Sequence, residues 1–415
     1  MKSSKKGWNL TRRHFLRSSA IGAAALGAGP QLFLRPAAAQ VAGAPVLICL
    51  FQRGAVDGLN MVVPFGDADY AGRRPDIAIA GPTASAGALD LDGFFGLHPA
   101  MESLLPSFDA GELAIVHACG SHDPTRSHFD AQDYMETGTP GVKNGPDGWL
   151  ARHLESTSGE SNLRGVAVTG TTPRILSGSP DVYAASRLTS LDLGRGQAGT
   201  LVRNAIGTMY LERGDLLGTT VGETLDNYEI FSELGEQNYV PQNGAEYPGG
   251  TLGRNLRELA QVVRAEVGLE VAFLETGGWD THARQGGAEG NLAGLLADLA
   301  DSLAAFRQDL GDEMANICVL TMSEFGRTAT QNGSGGTDHG HGTAMMALGG
   351  TVDGGRVLGD WPGLASADLY QGRDLAVTTD FRDLFGEVVR YHLGNPALDT
   401  VFPDHGFTRP GVIRS

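Results

Sequence analysis

Carboxylates and imidazoles are gathered in short loops that each follow an apolar, strand-like run. QRGAVDGLN carries Asp57, and ACGSHDPTRSHFDAQD carries His122, Thr125, Arg126, Ser127, His128, Asp130 and Asp133. TGGWDTHARQ carries Asp280 and His282, SEFGRT carries Glu324 and Arg327, and GTDHGHGT carries Asp338, His339 and His341. Hard carboxylate oxygen beside imidazole nitrogen is a donor set for a divalent cation, zinc first, with manganese, calcium or magnesium as alternatives. No C-x-x-C pair competes for such an ion.

Asp280, His282 and one of His339 and His341 are read as holding one ion. Asp57 and Glu324, helped by Asp338, are read as holding a second. Paired ions clamp the attacking and leaving oxygens of an ester. Ser127 is the first candidate nucleophile and Thr125 the second. Arg126 or Arg327 can neutralise an equatorial oxygen of a phosphate or sulfate. Each residue also has a plain structural use. Asp57 before Gly58 suits a turn, and Ser127 suits the N-cap of a helix through FDAQDYME. Glu324 can pair with Arg327, and His339 and His341, either side of Gly340, can be solvated loop residues.

Loops so far apart in sequence converge only if one scaffold carries them. Apolar runs rich in β-formers occur at 46–51, 113–117, 166–168, 270–275, 317–322 and 344–348. Such continuous runs mark strands buried on both faces. Between them lie helical stretches at 99–108, 291–310 and 382–393. The clearest is 291–310, where Leu292, Leu295, Leu296, Leu299, Leu303, Phe306 and Leu310 form one stripe and Gly311 suits a C-terminal cap. Alternating strands and helices predict an α/β fold, a mostly parallel sheet with helices on both faces. Sites in such sheets form at the C-terminal ends of the strands. The loop-rich stretch 139–253 reads as an insertion or a cap.

The first 39 residues read as a cleavable leader. Lys2, Lys5 and Lys6 precede Arg12-Arg13 with Phe15-Leu16, a short apolar stretch follows from Ala20, and Ala37-Ala38-Ala39 closes it. This is the layout of a twin-arginine signal peptide, and its apolar run is too short for a stable membrane span. The expected location is periplasmic or secreted, with the twin-arginine translocase as a partner during export. Cleavage after Ala39 leaves 376 of the 415 residues as the working domain, 40–415. The leader holds seven of the 31 basic side chains and none of the 48 acidic ones, so the remainder carries 24 against 48, net −24. Such a surface repels nucleic-acid phosphates and anionic lipid, which excludes those partners. Cys49, Cys119 and Cys318 sit in or beside apolar strand runs and read as inert core residues.

The stretches RGAVDGLN, GLHPAM, TRSHFDAQDYMETG, GGWDTHARQ, SEFGRT and TDHGHGTAMMALGG resemble those of the exported DUF1501 family, which is related to the alkaline phosphatase and sulfatase superfamily. The resemblance runs over nearly all of the chain after the leader. It implies an alkaline phosphatase-like fold and an exported, metal-dependent hydrolase of phosphate or sulfate esters, acting on a small-molecule or polysaccharide substrate. It also implies that PTRSHFDAQDYMETG stands where the superfamily carries its nucleophile. Three departures stand against this. Phe51, Gln52 and Arg53 occupy the strand end where the superfamily places an acidic ligand. Phe325 follows Glu324 where it often has Asp-His. His122 occupies the place of the sulfatase cysteine, which argues against a formylglycine sulfatase. These favour the competing reading, a metal-binding or scaffold protein that kept the fold without the reaction.

Overall fold

All seven residues of the strand β1, Val46–Gln52, are buried, which requires cover on both of its faces. A computed structural model describes residues 43–143, 145–159, 161, 163–188 and 196–414. The leader over 1–39 and its cleavage site lie outside the described residues. The fold is α/β, a mostly parallel central sheet with helices. The other main-sheet strands are β2 (Leu113–Gly120), β3 (Gly165–Ala167), β4 (Val182–Ala184), β5 (Val271–Thr276), β6 (Ile317–Met322), β7 (Thr343–Gly349), β8 (Arg356–Leu358) and β9 (Thr379–Asp380). Their order is β8-β2-β7-β6-β1-β5-β3-β4, with β9 beside β2. β1 runs parallel to β5 and β6 in unbroken register, from Leu47 opposite Val271 and Val46 opposite Ile317. β7 alone is reversed, antiparallel to both β2 and β6.

That one reversal matters for the site. The C-terminal ends of β1, β5 and β6 share a rim of the sheet. Because β7 runs the other way, the loop entering it starts from the same rim.

Alternate side chains of β1, Leu47, Cys49 and Phe51, join a core with Trp149, Leu150 and Leu154 of helix α2 (Trp149–Ser156) and with Phe381, Leu384 and Phe385 of helix α7 (Phe381–Glu387). The helix α6, Asn291–Leu310, has the bounds its apolar stripe predicts and buries Leu292, Leu296, Leu299, Leu303, Phe306 and Leu310. It packs against helix α5 (Thr251–Arg264) and the 3-10 turn Pro99–Leu104. The expected insertion over 139–253 is narrower in the structure. β3, β4 and α2 lie within it, and β3 and β4 belong to the main sheet. Strands of three residues are too short to show a period. Thr189–Glu236 falls in a separate compact unit, whose described part here is helix α3 (Gly196–Tyr210), a 3-10 turn and helix α4 (Leu216–Glu236). No helix among the described residues is long and apolar enough to cross a membrane. The three cysteines are buried and free, as read from their strand positions.

Two core histidines are held neutral. His117 Nε2 donates to the Val62 carbonyl at 3.0 Å, while its Nδ1 accepts from the Ala118 amide at 2.9 Å. Burial pushes its pKa from 6.5 down to about 4, and burial with the Arg164 charge does the same to His153. Both folded values lie below the unfolded one, so the native state binds fewer protons. The stability they contribute is complete above pH 6.5 and is lost as pH falls toward 4, by about 3 kcal/mol for each imidazole. Denaturant midpoints measured from pH 7.5 to 4.5 should therefore fall steeply, and less steeply in His153→Gln. A flat profile would contradict this.

Candidate metal centre

Helix α1, His128–Thr137, begins after Ser127, whose side chain accepts from the Asp130 amide as its N-cap. This places His128 on the first turn, at the rim. The loop after β5 brings Asp280 and His282, and the loop before β7 brings His339. The three imidazoles converge. His339 Nε2 lies 2.9 Å from Nε2 of His128 and 2.9 Å from Nε2 of His282. Asp280 Oδ1 is 3.0 Å from His282 Nε2, 3.3 Å from His339 Nε2 and 3.6 Å from His128 Nε2. His128, Asp280 and His339 each offer a donor atom within 4.8 Å of the others.

The remote ring nitrogens decide what these atoms are. His339 Nδ1 lies 2.9 Å from the Arg126 carbonyl, which can only accept, so Nδ1 carries the proton. His128 Nδ1 lies 2.7 Å from Glu324 Oε1, and His282 Nδ1 lies 3.1 Å from Asp338 Oδ1. Burial opposes the Glu324 charge, yet hydrogen bonds from His128, Gln132 and the Gly54 amide hold its pKa below the usual range. The Asn332 amide does the same for Asp338, against partial burial and with help from His282. Both carboxylates are ionised acceptors, so both histidines protonate at Nδ1. In their neutral forms all three rings then turn Nε2 lone pairs toward one another and toward a carboxylate.

Ring nitrogens approach this closely when a proton or a metal cation lies between them. A tetrahedral ion with bonds of about 2.0–2.1 Å sets its donors about 3.3 Å apart; the separations among His128, Asp280 and His339, at 2.9, 3.3 and 3.6 Å, bracket that spacing, while His282 Nε2 reaches His339 and Asp280 but not His128. Acceptors behind each imidazole are the usual support of a metal-bound histidine. The donor set fits a divalent cation.

Asp280 is held from behind. Arg327 is buried, donates to its Oδ1 at 2.6 Å and to the carbonyls of Gly54, Ala55, Trp279 and Thr337. Burial works against the Asp280 charge, but the Arg327 bond and charge, with His282 and His128, keep its pKa below the usual carboxylate range. Gly54 makes the approach possible, since a Cβ there would stand 2.7 Å from the Asp280 amide nitrogen and its φ is +116°. Phe325 lies under the rings, 5.0 Å from His128 and 5.2 Å from His339, with Ala55 and Ala131 beside it. The residue that broke the expected Asp-His pair is the apolar floor of the centre.

The family described as Protein of unknown function (DUF1501) matches residues 44–394. The chain belongs to the DUF1501 family. No curated protein matches it. Among solved structures, this DUF1501 chain is similar to the PsFucS1 sulfatase from Pseudoalteromonas sp., at 12% identity and TM-score 0.40, covering 90% of this chain and 74% of that one. It is also similar to a mutant TAB5 alkaline phosphatase with magnesium bound, at 11% identity and TM-score 0.32, covering 75% of this chain and 92% of that one. The alkaline phosphatase from the Antarctic bacterium TAB5 matches at 11% identity and TM-score 0.28, over the same shares of the two chains, 75% and 92%. At these values the similarities transfer neither residues nor activity.

The other sequence-derived candidates fall elsewhere in the DUF1501 chain. Asp57 is buried with its Oδ2 held by Arg74 at 2.6 Å and by Gln285 at 2.6 Å, whereas the Glu324 carboxylate lies against His128 at 2.7 Å. Glu324 and Asp338 stand behind His128 and His282 as acceptors. His341 stacks on Tyr370 with ring centroids 4.3 Å apart, and burial pushes its pKa down to about 4. Arg126 is tied to Asp374 at 2.5 Å and Arg327 to Asp280, so neither guanidinium is free for an anion. Thr125 Oγ1 accepts from the Ser127 amide at 3.2 Å. His128 is the donor missing from the sequence-derived set. It directly follows Ser127, and the local pattern there signals a helix N-cap, not a donor.

Glu324→Gln should keep the fold and weaken metal affinity by roughly 10–100-fold, because a neutral amide would replace the anionic partner of His128 Nδ1. Competition with a chromogenic chelator measures this. Unchanged affinity would show that His128 needs no anionic support.

Proposed function

We propose that this chain is an exported, metal-dependent hydrolase of phosphate or sulfate monoesters, delivered through the twin-arginine route. The observation that carries the reading is the convergence of three Nδ1-anchored imidazoles with Asp280. His128, Asp280, His282 and His339 would hold the ion, and zinc suits the nitrogen-rich set best. Such an ion supplies Lewis-acid polarisation of an ester oxygen. Everything else falls to the chain itself. Arg327 fixes the Asp280 carboxylate, Glu324 and Asp338 fix two ring orientations, and Phe325 keeps water from beneath the rings. Ser127 lies between Arg126, whose carbonyl accepts from His339, and His128. Its hydroxyl is exposed and has no acceptor among the described residues, and it would act as the nucleophile. With Arg126 and Arg327 engaged, the cation for the ester oxygens is Arg284. It is exposed, two residues beyond His282, and its guanidinium has no partner among the described residues.

Metal analysis of the purified chain and an assay on aryl phosphates and sulfates test the reading. One equivalent of metal, turnover of one ester class, and loss of turnover with metal retained in Ser127→Ala are expected. No bound metal would end it. The competing reading, metal binding without reaction, is favoured by the two engaged arginines. It would be established by full metal content with no turnover on either ester class.

A further inference from the structure

Arg53 directly follows β1, at the strand end where the resemblance to the superfamily calls for an acidic ligand. Three side chains hold its guanidinium. Nε donates to Glu275 Oε2 at 2.6 Å, Nη2 to Glu136 Oε1 at 2.9 Å and Nη1 to Gln132 Oε1 at 3.1 Å. The Phe51 ring lies 4.3 Å from its central carbon. Glu136 is buried, and its other oxygen accepts from the Ile175 amide at 3.0 Å, so this anchor is itself fixed. Gln132 Nε2 in turn donates to Glu324 Oε1 at 2.9 Å. That one oxygen also takes His128 Nδ1 at 2.7 Å and the Gly54 amide at 2.8 Å. The other Glu324 oxygen lies 3.4 Å from the Ser323 hydroxyl, at the limit of a hydrogen bond. His128, Gln132 and Glu136 are spaced by four along α1 and so share one of its faces.

The Gln132 amide has only one workable orientation. A guanidinium can only donate and an ionised carboxylate can only accept. Turned over, the amide would set its NH2 against Arg53 and its oxygen against Glu324. We propose that Arg53 and Gln132 are positioning residues of the metal centre. Arg53 fixes the Gln132 amide, Gln132 fixes Glu324 Oε1, and that oxygen holds the His128 ring with its Nε2 toward His339 and Asp280. The network joins α1 to the ends of β6, β1 and β5, which are neighbours in the sheet. The proposal rests on the metal reading of the donor cluster and not on the hydrolase reading. A mere fastening of α1 to the sheet would use the same bonds, but its loss would lower stability and leave the affinity for metal alone.

The test reads affinity and stability on the same samples. Zinc affinity of the full chain is measured by competition with a chromogenic chelator, and the metal-free forms are unfolded in denaturant. Gln132→Met and Arg53→Met should each weaken zinc binding by roughly 10–100-fold, as loss of an outer support does. Because both cut the same chain of contacts, the double variant should lose no more than the weaker single one. Arg53→Lys should fall between wild type and Arg53→Met, since an ammonium keeps the charge but not the fork that reaches two carboxylates and an amide. The visible spectrum of the cobalt(II)-loaded chain should change in Gln132→Met, as the His128 donor shifts. Gln132 is only half-buried, so its variant carries the test even if Arg53→Met fails to fold. Wild-type zinc affinity in Gln132→Met, or losses that simply add in the double variant, would overturn the proposal and leave the hydrolase reading standing. These affinity losses in a chain that turns over no ester would count against the hydrolase reading and leave this one standing. A wild-type chain that takes up no zinc would end both.

Discussion

Purified His339→Ala should lose its metal, with affinity falling by more than the roughly 100-fold that loss of a supporting acceptor can cost. His339 is the hinge of the donor set. Its Nε2 is the atom shared between the His128 and His282 contacts, each at 2.9 Å, and it also faces Asp280 at 3.3 Å. Removing it leaves His128 and His282 joined only through Asp280 Oδ1, at 3.6 and 3.0 Å. Thermal stability gives a second readout. In the wild type, free zinc at about 100 times Kd should add about 2.7 kcal/mol to the folded state, and the variant should show almost none of this. His341→Ala is the matched control. It lies two residues away but stacks on Tyr370, so its metal content should stay at the wild-type level. Equal metal loss in both variants would mean that the donors are wrongly assigned.

Asp57→Ala should lower stability by about 3–5 kcal/mol and leave metal content unchanged. Asp57 and Arg74 are both buried, and the guanidinium also bonds Asn60 Oδ1 and the carbonyls of Thr328 and Ala329. Truncating the aspartate strands a buried positive charge, which is among the costlier single changes a core can suffer. Denaturant unfolding followed by circular dichroism measures the loss, and metal analysis of the same sample separates a structural aspartate from a ligand. A fall in bound metal without a fall in stability would return Asp57 to the ligand set.

The scaffold was legible because its signals are long. Continuous apolar runs at 46–51 and 317–322 and the leucine stripe of 291–310 each exceed what chance alternation gives, and each became the element expected. Asp280, His282 and His339, each in a loop at a strand end, do lie together on one rim. Pairings across the chain were not legible. Nothing local marks Arg74 as the partner of Asp57, or Asp374 as the partner of Arg126 across 248 positions. His339 and His341 share their residue type and lie two residues apart, and only the packing of Tyr370 shows which one turns away. His128 was hidden by a local rule that also holds, since Ser127 does cap the helix whose first turn carries it.

The reversed strand β7 also sets a timetable. His128 and His339 are separated by 211 residues, and the later one reaches the rim only when β7 has inserted between β2 and β6. A nascent chain emerging from the ribosome has nowhere to keep the ion until some four-fifths of it has been made. Any ion these donors take is therefore captured only after that point, and its identity would follow from what is abundant where the last strands settle.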